Sequence, residues 1–329
     1  MKNKKRLLSG VKPTGRPHIG NYFGAMKQFV DLQNKYDSYI MIADIHALNF
    51  IHDKKEMKKG IIDLALDYLA IGLDPKKVTL FKQSDVSEHT DLGWIFNTII
   101  TTPFLMRAHS FKDAKAKKQL DKFSVGDFVY PNLMAADILL YSPEIVPVGK
   151  DQKQHLEFAR DYAQKFNKIF GKTFKLPKPL ILKSVSVVIG NDGRKMSKSY
   201  KNHLPLFASE KETAEYIRTF PMDSKKPEDK KNPDDYDLYK LFKLFANEKE
   251  DSEMRRLFEN GGVGYGDIKK IIVKKINDFL RPMRKKRKEL EKKQEKIIKI
   301  LEKGGKKARK EAMVKMLEVR KKVGFEIYK

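Results

Sequence analysis

A chain of 329 residues, 40% hydrophobic and 34% charged, has room for one large domain or two ordinary ones and the composition of a folded globular protein. It contains no cysteine, which excludes disulfides, thiolate metal sites and cysteine nucleophiles. No run approaches the ~20 apolar residues of a membrane helix, and Leu7–Val11 behind a basic N-terminus is too short for a signal peptide, so a cytoplasmic protein is expected. The net charge of +26 fits a polyanionic partner, but a lysine-rich composition spread over solvated faces explains it equally well.

In chain order, the short apolar or β-branched runs Leu7–Val11, Tyr39–Ile42, Val78–Phe81, Ile145–Val148 and Val185–Ile189 predict buried strands. Helical spacing fills Asn21–Lys35, Lys54–Ile71 and Gln154–Phe166. This alternation predicts an α/β fold of the Rossmann type: a doubly wound parallel sheet with ligands at the carboxyl ends of the strands. The segment from about 84 to 133 breaks the rhythm and predicts a helical insertion. Residues 1–202 form the α/β domain and 203–329 an all-α domain. Pro221 to Asp237, with prolines at 221, 227 and 233, predicts an exposed connection. In the last helix Ala312, Met316, Val319 and Val323 make an apolar stripe with basic residues on the other faces.

Two segments carry phosphate chemistry. Pro13-Thr14-Gly15-Arg16-Pro17-His18-Ile19-Gly20-Asn21 follows the first strand. Its glycines and prolines make a tight turn, Gly20 lets a ligand approach the backbone, and the N–H groups of a helix start bind phosphate or ribose oxygens, with His18 as a further donor. A capped turn with a surface histidine is the plainer alternative. In Gly193-Arg194-Lys195-Met196-Ser197-Lys198-Ser199, two lysines on flexible stems flank a serine, which suits a mobile clamp for the β- and γ-phosphates and departing pyrophosphate. Taken singly, it reads equally as an exposed basic turn.

Between them stands Tyr130-Pro131-Asn132-Leu133-Met134-Ala135-Ala136-Asp137 and, further on, Val146-Pro147-Val148-Gly149-Lys150-Asp151-Gln152. This segment resembles that of the tryptophanyl-tRNA synthetases, which implies an indole ligand. Indole has one donor and no acceptor, so a pocket that separates tryptophan from phenylalanine needs a buried acceptor. Asp137, on an otherwise apolar segment, supplies one; a buried acid paired with a basic side chain is the alternative. A site built on such a bond rejects ligands lacking the donor by on the order of 10⁴-fold. Met134, Val146 and Val148 would be the apolar walls.

His-Ile-Gly-Asn and Lys-Met-Ser-Lys-Ser, in that order, resemble the two signatures of class I aminoacyl-tRNA synthetases, and the segment between resembles the tryptophanyl-tRNA synthetases. The likeness runs nearly the whole chain, from Leu8-Ser9-Gly10 to the helical tail around Lys306. The resemblance implies a class I catalytic domain, a helical anticodon-binding domain, and a homodimer that joins L-tryptophan to tRNA(Trp). It implies ATP as substrate with Mg²⁺ held through its phosphates. Lys12, Pro13, Thr14, Gly20 and Asn21 would line the ATP site, with Gly149, Lys150 and Asp151 opposite and Lys195, Met196, Ser197, Lys198 and Ser199 over the phosphates. His18, Asn21, Lys195 and Lys198 would be catalytic. Tyr130 and Asp137 belong to the amino-acid pocket. Gln152 contacts the substrate amino group or the ribose, and His46 is either a pocket residue or a core histidine. Many relatives carry glutamine where this chain has Lys12, and proline where it has Ile189. The rivals are a tyrosyl-type synthetase and a non-catalytic RNA-binding paralogue. Gly261-Gly262-Val263-Gly264-Tyr265-Gly266 is no dinucleotide fingerprint, since it follows a helix, and the seven histidines show no metal-site spacing with acids, so no protein-held metal is expected.

Overall fold

The computed structural model describes residues 4–147, 153–180 and 187–327. Five strands, β1 (Arg6–Val11), β2 (Asp37–Ile42), β3 (Val78–Lys82), β4 (Ile145–Pro147) and β5 (Lys178–Leu180), form one parallel sheet in the order β3-β2-β1-β4-β5. From β1 the chain builds outward through β2 to β3, then returns to place β4 on the other side of β1. The carboxyl ends of β1 and β4 therefore face the switch point where doubly wound sheets bind ligands.

Helices cover both faces. After β1 come α1 (Ile19–Asn21), a π-turn (Tyr22–Met26) and α2 (Lys27–Leu32), so the expected helix contains one widened turn. The short α3 (Asp44–Ala47) follows β2, and α4 (Lys54–Ala70) crosses to β3 behind an Asp53 cap that accepts from the Glu56 N–H. The insertion is helical as expected: α5 (Glu88–Ile99), α6 (Thr102–Leu105), α7 (His109–Ala116) and α8 (Val125–Leu139). Next comes α9 (Lys153–Phe170). Among the described residues beyond 202 the regular elements are helices: α10 (Glu210–Arg218), α11 (Asp237–Lys243), α12 (Glu248–Glu259), α13 (Tyr265–Glu291) and α14 (Gln294–Val323).

Period-two alternation assigns neighbouring strand residues to opposite faces. Leu7, Ile40, Ile42 and Leu80 join a core with α4, α10, α11, α12 and α13, whereas Leu8, Tyr39, Met41 and Phe81 join a second core with α5, α8, α9 and the end of α14. Ala312, Met316 and Val319 are buried there with Val323 packed beside them, as the stripe predicts. Gly304 allows this docking, because a Cβ would strike the carbonyl of Leu80.

Two expectations change. The fifth strand is Lys178–Leu180, not Val185–Ile189: of that run, Val187 to Ile189 carry no strand, Val187 is 57% exposed, and Ile189 only bridges to Lys195 in a hairpin. Val185 lies outside the described residues. β-branched composition marks this run as strand-like, but the place beside β4 is taken by Lys178–Leu180. The connection from Pro221 to Asp237 is largely exposed but anchored: the Lys231 side chain is buried and donates to the carbonyls of Lys226, Pro227 and Asp229. The Gly261–Gly266 run joins α12 to α13, with Gly261 and Gly262 at positive φ.

Candidate active site

The first loop and the second are one structure. His18 caps α1: its Nδ1 accepts the Asn21 N–H at 3.3 Å, while its own N–H donates to Asn21 Oδ1 at 3.0 Å. With Nδ1 accepting, the neutral ring carries its proton on Nε2. Burial and the neighbouring charges of His203, Lys198 and Lys195 push the His18 pKa down to about 4, so the ring is a neutral donor at ordinary pH. Gly20 is required by this arrangement, since a Cβ would lie 2.9 Å from the His18 ring and 3.5 Å from Met196.

Residues 187–204 fold back onto this helix start. Ile189 bridges Lys195, Met196 N–H donates to the Val188 carbonyl at 2.8 Å, and the Ile19 N–H donates to Leu204 O at 3.0 Å. The loop is pinned from inside by buried Asn202. Its Oδ1 accepts from Ser197 N–H at 2.7 Å and its Nδ2 donates to Asp192 Oδ1 at 2.6 Å and to the Lys195 carbonyl at 3.2 Å. Met196 is buried, while Lys195, Lys198 and Ser199 stay exposed and Ser197 is half-buried. Lys198 Nζ donates to the Thr14 carbonyl at 2.7 Å, a contact that joins the two motifs across 184 residues of sequence. Pro13 is buried under α4, and the Lys12 ammonium lies 4.3 Å from the Phe50 ring centre, where burial lowers its pKa.

On the other side of the switch point Asp137 is 3% exposed and fully engaged. Its Oδ1 accepts from Gln83 Nε2 at 2.7 Å and His89 Nδ1 at 2.5 Å; its Oδ2 accepts from His46 Nε2 at 2.9 Å. Behind it, His89 Nε2 meets the Tyr141 hydroxyl at 2.9 Å, and Gln83 Oε1 accepts from the His46 N–H at 3.2 Å. Burial pushes the Asp137 pKa up, but His89 and His46 outweigh it and hold the carboxyl well below the usual range. Asp137 is thus a buried, paired acid; a carboxylate has about four acceptor positions and three are taken, which leaves one on Oδ2. The His46 ring lies 6.4 Å from that of Tyr130, with Tyr130 half-buried and its pKa raised by burial. Met134 is partly buried beside these residues, and Val146 packs in the core below them. Val148, Gly149, Lys150, Asp151 and Gln152 lie outside the described residues.

The family model for class I tRNA synthetases of the W and Y type matches residues 1–281. The chain belongs to this family. A tryptophan–tRNA ligase of Fusobacterium nucleatum is 46% identical over 98% of both chains, and one of Rhodopirellula baltica is 45% identical over 97% of this chain and 99% of its own. The crystal structure of the Campylobacter jejuni tryptophanyl-tRNA synthetase, complexed with ADP and tryptophan, is 43% identical and superposes with a TM-score of 0.90, covering 97% of this chain and 99% of that one.

Within this class I synthetase the sequence motifs missed four groups that the fold brings to the site. Gln83 sits at the carboxyl end of β3, where the rule for doubly wound sheets places ligand contacts, so position alone could have flagged it. His89 lies on α5, inside an insertion whose helical pattern hides a polar residue facing inward. Asn202 and His203 follow the second signature directly; the His203 ring centre is 5.6 Å from that of His18. No three His, Asp or Glu side chains among the described residues converge as a metal site, and no described helix is long and apolar enough to cross a membrane.

Proposed function

We propose that the protein is a tryptophan–tRNA ligase, and the observation that carries this is Asp137. Three donors fix the buried carboxylate and leave one acceptor position, which matches the single N–H of indole. A phenol both donates and accepts, and would be better served by a hydroxyl partner at that position.

In the first step the tryptophan carboxylate attacks the α-phosphorus of ATP, forms the acyl–phosphate bond and expels pyrophosphate. In the second, the terminal ribose hydroxyl of tRNA(Trp) takes the acyl group and releases AMP. No side chain need act as nucleophile; rate comes from positioning and from cations aimed at developing charge. The His18 Nε2–H and Asn21 stand on the phosphate and ribose side, and Lys195 and Lys198 on the pyrophosphate. Lys12, Pro13, Thr14 and Gly20 form the floor. Mg²⁺ enters with the nucleotide. Residues 203–329 read the anticodon, the working unit is a homodimer, and the setting is cytoplasmic.

ATP–pyrophosphate exchange over a panel of amino acids tests the assignment. Exchange with tryptophan is expected; exchange with tyrosine and not tryptophan overturns it, and no exchange with any amino acid would favour a binding paralogue.

A further inference from the structure

The first signature carries an arginine that the phosphate chemistry above does not use. Arg16 donates through Nε and Nη2 to both oxygens of Asp67, at 3.1 and 3.0 Å. Asp67 sits on the inner face of α4 with no exposed surface. A second guanidinium reaches the same acid from the far end of the chain: Arg287 of α13 donates through Nε to Asp67 Oδ1 at 2.6 Å and through Nη2 to Asp63 at 2.7 Å, and its Nη1 bonds Glu291. Arg287 is itself 6% exposed. Both guanidinium carbons lie 5.5 Å from the ring centre of Phe207, which follows the second signature by a few residues. One buried node thus holds four segments: the first signature loop, α4, the segment after the second signature, and α13.

The charges explain why the node is stable. Two arginines face Asp63, Asp67 and Glu291, and Lys59 pairs with Asp63 from outside. Burial raises the Asp67 pKa, so its ionised form depends on both guanidinium groups. Its charge also acts on Lys198, opposing the lowering of that pKa by burial. Removing one partner of a buried pair leaves the other charge uncompensated.

We propose that Asp67 and Arg287 are positioning residues for the ATP side of the site. Arg287 fixes Asp67, Asp67 fixes Arg16, and Arg16 holds the turn whose Thr14 carbonyl anchors Lys198. Among the described residues, Arg16, Asp67 and Arg287 make no hydrogen bond to Asp137, His46, His89 or Gln83. The node lies with the core on the α4 and α13 face of the sheet, whereas α8 and α5, which carry Asp137 and His89, pack in the core of the opposite face. A disturbance of the node therefore reaches ATP and not tryptophan. This inference rests on the ligase reading above.

The test is steady-state ATP–pyrophosphate exchange, with ATP and tryptophan constants measured separately, and equilibrium tryptophan binding measured alongside. Two variants are used. Arg287→Met removes the guanidinium at similar volume, and Phe207→Leu loosens the node without stranding a charge. In both, kcat/KM for ATP is expected to fall, by on the order of tenfold to a hundredfold for Arg287→Met, since small misplacements far from the chemistry cost that much. Tryptophan affinity is expected to stay at the wild-type value. If folded Arg287→Met keeps the wild-type ATP constants, or if ATP and tryptophan constants worsen together, the positioning role is overturned. Should Arg287→Met fail to fold, Phe207→Leu decides on the same criterion. Wild-type protein that does not exchange with tryptophan at all defeats the ligase reading instead, so the two failures are separable.

Discussion

The two sides of the switch point are built on opposite physical plans. The side proposed for tryptophan is a closed polar network: Asp137, His46, His89, Gln83 and Tyr141 satisfy one another in the interior, and the acid has one position to offer. The phosphate side is a set of cations held loosely at the surface, with Lys195 and Lys198 exposed and a single ammonium-to-carbonyl contact joining the two signature loops. Discrimination needs a rigid arrangement that punishes the wrong ligand, because an unfilled buried acceptor is costly. A pyrophosphate that must depart needs charge on stems that can open.

The largest expected effect breaks the phosphate side alone. Lys195→Ala or Lys198→Ala should lower kcat/KM for adenylate formation by roughly 10²- to 10³-fold, the usual loss when one group stabilising developing charge is removed. Tryptophan affinity and thermal stability should hardly change, since both side chains are largely exposed. Single-turnover adenylate formation, paired with tryptophan titration, measures both. Equal losses in both quantities would mean that the two sides are not independent.

A smaller effect is expected from the opposite side. Asp137→Asn puts an amide where three donors converge, so one N–H group faces another donor. Tryptophan affinity should fall by roughly 10- to 100-fold, the cost of a buried group left unsatisfied, and discrimination against phenylalanine should narrow while the ATP constant holds. Unchanged selectivity would make this acid a purely structural charge. His89→Gln is a gentler form of the same change, keeping a donor toward Asp137 but losing the link to Tyr141.

How much of this was legible in the chain divides along the same line. The phosphate side was readable because its groups are contiguous in sequence: a turn, a helix start and a lysine loop each carry their chemistry within a few residues. Asp137 was readable because an acid in an apolar run stands out. Gln83 could have been flagged by its place at the end of β3, but His89 and Tyr141 converge only through the packing of α5 and α8, and nothing local marks them. The Arg16–Asp67–Arg287 node is the extreme case, joining residues 220 positions apart. The misplaced fifth strand has the same origin. β-branched residues in Val185–Ile189 express a local preference, while the place beside β4 is taken by Lys178–Leu180.

The smallest expected effect sharpens the comparison at His18, where the closed and the open plan meet. In the unfolded chain an imidazole titrates near 6.5, whereas burial and the charges of His203, Lys198 and Lys195 bring His18 down to about 4 in the folded protein. Between those values the unfolded state binds a proton that the folded state refuses, so this group's contribution to stability is whole above about pH 6.5 and drains away as pH falls toward 4. The loss should be roughly 2 kcal/mol over that window. His18→Asn keeps a side chain suited to capping α1 and removes the titration. Urea unfolding at pH 7 and pH 4.5 should therefore show a smaller drop in the variant than in the wild type. The same neutral ring predicts that, down to about pH 5, adenylate formation has no inflection owing to His18, because its Nε2 proton is present throughout. An inflection near 6.5 that His18→Asn abolishes would show that the folded ring titrates like a free one, and that the lysines around it are too mobile to exert the field their positions imply.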